Sequence, residues 1–251
     1  EDCSDLRRGK PCIHKLFGND VAINAGNALY YIPLLSILKN KHTLGAETVA
    51  ALFEIYAQEM INISFGQGTD IAWHNDIDAS VSEDEYLQMC AYKTGTLARM
   101  AAKMAATVAG ADAEIVEKLG RLAETIGIVF QIQDDILNLA ATSGKNQFTD
   151  EYIGSDITEG KRSLIIIKTL ESATQQDRQR LVDILKMHTR NKTLISEAIE
   201  IVKKYDSIDY AKEKARKLIA QAWRDVDTLL PSSKAKQKLK AFADFAIERD
   251  Y

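Results

Sequence analysis

From Ile126 to Leu139 the chain reads as a helix turned inside out. Gln131, Asp134, Asp135 and Asn138 fall at spacings of 0, 3, 4 and 7, which places them on one helical face. Ile126, Ile128, Val129, Phe130, Ile132, Ile136, Leu137 and Leu139 surround them. A surface helix is mostly polar with one apolar stripe, and this segment has the opposite balance. It therefore belongs in an interior, where its carboxylates need a partner, because an uncompensated buried charge costs several kcal/mol or more. Oxygen-only ligands of this kind suit Mg²⁺, which takes one or two carboxylates and completes its shell with water and phosphate oxygens. An interhelical hydrogen-bond cluster or an internal salt bridge would satisfy the same stripe.

The rest of the chain supports a helical interior. Only three prolines (Pro11, Pro33, Pro231) interrupt 251 residues, and long Ala/Leu/Ile/Lys/Glu-rich stretches separate them. No alternating β-branched run reads as a strand. A helix is expected from about residue 20 to 38, capped by Asn19 or Asp20, kinked at Pro33 and carrying a polar stripe of Asp20, Asn24, Asn27 and Tyr31. A long helix follows over 46–73 with Gly66 and Gly68 inside it, hinting at close packing or a kink. Ser82 and Glu85 form a capping box that opens a helix running to about residue 109, and another spans 111–139. Residues 140–155 read as a polar loop suited to a lid. Shorter helices are expected over 161–172, 176–188, 192–204, 207–230 and 232–249.

A formal net charge of −4 argues against a nucleic-acid partner. Cys3, Cys12 and Cys90 lack metal-ligand spacing and fit thiols in a reducing cytoplasm. No uncharged apolar run approaches the 18 residues of a membrane span, and no signal peptide is read. His14, His42, His74 and His188 are scattered and receive no role.

Five polar clusters punctuate the chain: Arg7-Arg8, Gln67 with Asp70, Lys93-Thr94, the Asp134-Asp135 stripe, and Gly154 to Arg162. Together they offer carboxylates for Mg²⁺ and cations for phosphate oxygens, as a diphosphate leaving group requires. Each has a plainer reading: a solvated arginine pair, a helix-packing pair at Gln67 and Asp70, a snorkelling Lys93, and a capping pair at Asp156 and Glu159.

These clusters also carry a resemblance that spans essentially the whole chain. Glu1 to Pro11 resembles the end of the first aspartate-rich motif of trans-prenyltransferases and the RRGxP element after it. Gly66 to Trp73 resembles their GQxxD helix, Lys93-Thr94-Gly95 their KTG element, Phe130 to Leu139 their second aspartate-rich motif, and Asp156 to Lys161 their D-x-x-E-G-K. The wording is closest to geranylgeranyl diphosphate synthases.

The resemblance implies an all-α, isoprenoid-synthase-type bundle of long helices around a central cavity, one domain over 1–251, and a cytoplasmic homodimer. It implies Mg²⁺-dependent condensation of isopentenyl diphosphate with an allylic diphosphate (dimethylallyl, geranyl or farnesyl), giving a short-chain product such as geranylgeranyl diphosphate. Asp2, Asp134, Asp135 and Asp156 would serve the metal. Arg7, Lys93 and Lys161 would hold the allylic diphosphate and Arg8 the isopentenyl diphosphate. Thr94 and Gln131 would line the site near the ionising carbon, with Gln67, Asp70 and Asn138 supporting it. Two departures stand out. The aspartates that open the first motif, and the helices before them, would precede Glu1, so the chain reads as a piece of a longer protein. The lysine often found shortly before Asp156 is absent, and the nearest is Lys145. A terpene cyclase of the same helical class, or a non-catalytic partner subunit of a synthase, would share much of this pattern.

Overall fold

The computed structural model describes residues 5–7, 9–75, 80–140 and 153–248. Asp2 and Arg8, and most of the polar loop expected over 140–155, lie outside the described residues. The chain divides into two compact units, Glu1–Tyr56 and Ala57–Tyr251.

The first unit opens on a short ladder where no strand was expected. Strands β1 (Leu6–Arg7) and β2 (Lys10–Pro11) pair antiparallel, with Leu6 opposite Pro11 and Arg7 opposite Lys10. Two-residue strands are too short to show alternation, so only the intervening Gly9, at φ 74°, marks the turn. Helices α1 (Ile13–Phe17), α2 (Asn19–Tyr31), α3 (Leu34–Lys39) and α4 (Lys41–Leu44) follow, and none of them buries a residue. Gly18, not Asn19 or Asp20, holds the N-cap of α2. Pro33 divides α2 from α3, as its missing N–H and its ring clash with the preceding turn require. Asp20, Asn24, Asn27 and Tyr31 are all exposed, as are the apolar Val21, Ile23, Leu29 and Tyr30. By length and composition Asn19–Lys39 would suffice to cross a membrane, although Asp20 and Lys39 charge its ends and Pro33 breaks it.

Helix α5 (Ala46–Asn75) runs on from the first unit into the second. Helix α6 (Glu83–Cys90) starts on the expected capping box: the Ser82 Oγ accepts from the Glu85 N–H at 3.3 Å, and a Glu85 carboxylate oxygen accepts from the Ser82 N–H at 2.8 Å. The single helix expected to 109 is then interrupted. Ala91–Gly95 forms a π-turn before α7 (Thr96–Val108) resumes. The Thr96 hydroxyl donates to the Ala91 carbonyl at 3.3 Å, satisfying an acceptor in the widened turn.

Helix α8 (Ala113–Ala140) is the centre of the second unit. Leu122, Ile126, Ile128, Val129, Ile132, Ile136, Leu137 and Leu139 are buried on it. It packs against α6, the π-turn, α7, α13 (Ser207–Asp227) and α14 (Lys234–Glu248). Phe130 departs from the expected apolar shell and is 40% exposed. A five-residue helix not foreseen from the sequence, α9 (Ser155–Glu159), precedes α10 (Leu164–Ser172), α11 (Gln175–Lys186) and α12 (Lys192–Lys204). Behind the π-turn, Arg99 of α7 donates to both oxygens of buried Glu59 on α5, at 2.8 and 2.5 Å, and also pairs with Glu124 of α8. One guanidinium thereby joins three helices. Its planar fork suits this bidentate geometry in a way that a lysine would not.

Candidate active site

The site grows from a place where three helices meet backbone to backbone. A β-carbon on Gly66 of α5 would fall 2.6 Å from the Tyr92 carbonyl carbon and 2.7 Å from the Tyr92 Cβ. One on Gly127 of α8 would fall 2.7 Å from the Gly95 Cα, and one on Gly95 would fall 3.0 Å from Glu124. No β-carbon fits at Gly66 or Gly127 without a shift and one at Gly95 would be tight, so the glycines let α5 and α8 close on the π-turn. Gly68 has nothing within 4 Å and plays no such part. Pressed between the two helices, the π-turn presents Lys93 and Thr94. Lys93 pairs with Asp70 of α5. Asp70 is therefore bound across helices.

The acidic stripe of α8 divides into two layers. Gln131 and Asp134 are half-buried beside the exposed Phe130, whereas Asp135 (4% exposed) and Asn138 (2%) lie beneath. Asp135 accepts from the Tyr86 hydroxyl at 2.7 Å and from the Gln131 side-chain amide at 3.0 Å, and Gln131 in turn accepts from Thr94 Oγ1 at 3.1 Å. Asn138 acts as a bracket for α9. Its amide donates to Ser155 Oγ at 2.8 Å, its side-chain oxygen accepts from the Asp156 N–H at 3.2 Å, and its backbone carbonyl accepts from the Gly154 N–H at 2.9 Å. Gly154 and Gly160 bound α9 at φ 75° and 69°, where a β-carbon would be strained. The short helix thus holds Asp156 inward. Lys161 reaches back to Asp156 and Glu159, each at 2.8 Å, so neither acid caps a helix as the plainer reading had it.

Electrostatics mark this cluster as under-compensated. Burial, then the charge of Asp156, raises Asp135 to about 7, against the opposing hydrogen bonds from Tyr86 and Gln131. Burial also raises Asp156, although Lys161 opposes it. Lys161 is held well above its ordinary value because Asp156 and Glu159 outweigh its own burial. Since the folded pKa of Asp135 lies above the ordinary 3.8, the folded chain holds that proton more tightly than the unfolded chain does. Its contribution to stability is complete below about pH 4 and is lost as pH rises towards 7. Without divalent metal, the protein is expected to melt about 5 °C lower near pH 8 than near pH 5, and Asp135→Asn should remove most of that slope. An unchanged slope in the variant, read by calorimetry, would overturn the assignment.

Of the residues singled out from sequence, Asp70, Lys93, Thr94, Gln131, Asp135, Asn138, Asp156 and Lys161 are joined by these contacts. Asp134 borders them on the same helix, and Gln67 lies one turn before Asp70. Arg7 is exposed on β1 in the first unit. Tyr86 and the buried Gln133 were not foreseen, whereas Ser155 and the buried Arg162 fall in the cluster that follows the loop, without a role assigned to either. A lone tyrosine seven residues before Lys93 is the only signal that pointed to the first of them. His74 lies 3.8 Å from Asp70, a contact that the histidine spacing did not suggest. Among the described residues no three acidic, histidine or cysteine side chains form a ready-made metal cage. Mg²⁺ needs none, since water and phosphate supply most of its ligands. A half-buried carboxylate above two buried ones of raised pKa is an oxygen-donor set that a divalent cation would relieve, so the residues fit the ion.

A family model described as Polyprenyl synthetase matches residues 1–202. The chain is 32% identical over 250 residues to a short chain isoprenyl diphosphate synthase of Methanothermobacter thermautotrophicus, covering 100% of this chain and 74% of that protein. It is 34% identical over 249 residues to a geranylgeranyl diphosphate synthase of Saccharolobus solfataricus, covering 99% and 73%. The crystal structure of a geranylgeranyl pyrophosphate synthetase from Pyrococcus horikoshii superposes with a TM-score of 0.89 at 34% identity, covering 99% of this chain and 73% of that one. Fold and matches together define an all-α prenyltransferase. The chain belongs to the polyprenyl synthetase family, whose reaction condenses isopentenyl diphosphate with allylic diphosphates.

Proposed function

We propose that this chain is the catalytic domain, over 1–251, of a cytoplasmic, Mg²⁺-dependent synthase that extends an allylic diphosphate to geranylgeranyl diphosphate. The observation that carries this reading is the junction of Lys93 and Thr94, on a π-turn, with the buried acids of α8 and α9. Asp134, with Asp135 and Asp156 behind it and Asp2 from the first motif, would hold the metal. Bound there, Mg²⁺ would neutralise charge on a departing diphosphate. Lys93 and Lys161, each now paired with an acid, exchange that partner for phosphate oxygens of the allylic substrate, and Arg7 adds to them. Arg8 takes the isopentenyl diphosphate. Thr94 and Gln131 turn oxygens towards the carbon that loses its diphosphate, stabilising positive charge without capturing it. The isopentenyl double bond then attacks, and a proton leaves. Gln67, Asp70 and Asn138 hold these groups in place.

The C20 product is supported by the names of two of the relatives. A homodimer is supported by the exposed apolar residues of α2 and α3, which a second copy would cover. The test is to incubate the full-length protein with Mg²⁺, isopentenyl diphosphate and each allylic primer in turn. A C20 diphosphate is the expected product. A hydrocarbon would point to cyclisation, and no product with any primer would overturn the reading.

A further inference from the structure

Tyr86 is 1% exposed, lies on α6 outside the five polar clusters, and its hydroxyl donates to Asp135 at 2.7 Å. That bond begins a chain with a fixed direction. Tyr86 donates to one oxygen of Asp135, which in its ionised form can only accept. The other oxygen therefore takes a donor, which turns the Gln131 amide nitrogen towards it and leaves the Gln131 carbonyl oxygen facing Thr94. Thr94 must then give its proton to Gln131. We propose that Tyr86 is a positioning residue for prenyl transfer: it anchors this one-way chain, commits the Thr94 proton inward, and leaves Thr94 to present only lone pairs to the reacting carbon.

The alternative direction shows what Tyr86 prevents. Without the phenol, Asp135 loses one of its two donors and can turn in its pocket. Gln131 is then free to flip, its nitrogen donating to Thr94, and the Thr94 proton would point at a centre that is gaining positive charge. A proton there opposes ionisation, whereas a lone pair favours it. The inference rests on the prenyltransferase reading of the site, and it concerns the chemical step rather than substrate binding.

A double-mutant cycle tests it in the full-length protein. Tyr86→Phe is expected to lower kcat about 30-fold with both KM values within about 3-fold, while Thr94→Val lowers kcat about 100-fold and Thr94→Ser restores most of it. Because Tyr86 acts only through Thr94, the double variant should be within about 2-fold of Thr94→Val alone. Multiplicative effects, or a loss confined to KM, would overturn the proposal and leave the prenyltransferase reading standing. An inactive wild type would overturn both. Should Tyr86→Phe fail to fold, 3-fluorotyrosine at position 86 keeps the shape and the hydroxyl. It must then change kcat in the wild-type background and not in Thr94→Val, and equal effects in both backgrounds would overturn the proposal.

Discussion

Asp134→Ala is expected to cut turnover by about 10³-fold or more, equivalent to roughly 4 kcal/mol of transition-state stabilisation, while the helical content and melting temperature stay near wild type. The separation of effects follows from where Asp134 stands. It is half-buried on the open side of α8, beside Gln131, with the apolar core formed by other faces of the helix. Truncating it removes a metal ligand and creates no core cavity. Asp134→Asn should fare little better, because the amide keeps the shape but loses the charge that attracts Mg²⁺. Steady-state kinetics beside circular dichroism would decide the matter, and near-normal turnover in Asp134→Ala would remove it from the metal set.

Gly66→Ala should do the reverse, damaging fold and catalysis together. The added methyl would lie 2.6 Å from the Tyr92 carbonyl carbon and 2.7 Å from its Cβ, atoms that belong to the backbone or sit next to it and cannot swing aside. Either α5 or the π-turn must retreat by most of an ångström. Overpacking of this kind costs about 1–3 kcal/mol, and a displacement near 1 Å at a site costs about 100-fold in rate. A melting temperature lower by about 5–10 °C and a kcat lower by about two orders of magnitude are expected. Gly68→Ala is the internal control. Open space surrounds that position, and replacing a mid-helix glycine should stabilise α5 by up to about 1 kcal/mol. If both variants behaved alike, the close approach at Gly66 would not matter.

Much of this architecture was legible before any coordinates. The Pro33 break, the Ser82–Glu85 box and the span of α8 follow from local rules that act within one or two turns. The inverted stripe announced an interior polar site for the same reason, since four polar residues at helical spacing in an apolar segment need partners. What stayed hidden depends on contacts between distant segments or on departures from regular period. Spacing put Asp134 and Asp135 on one face. Only the packing of α6 decided that Asp135 is covered by Tyr86 while Asp134 is not. Nothing in the spacing of Gln67 and Asp70 revealed that Lys93, from a segment 23 residues on, pairs with Asp70. The β1–β2 ladder and α9 are too short to leave a periodic trace.

The π-turn escaped a reading that assumes a constant angle per residue, and its effect extends beyond its own five residues. An added residue in the helical path turns everything after it back by about 100°. The rod from Glu83 to Val108 therefore serves two azimuths. Ahead of the turn it aims Tyr86 at Asp135, and behind it Arg99 reaches Glu59 and Glu124. Both aims depend on a single count. A substitution in this rod alters one side chain, but a residue gained or lost between Ala91 and Gly95 would re-clock all thirteen residues of α7 at once. Length, more than composition, is what this helix cannot vary.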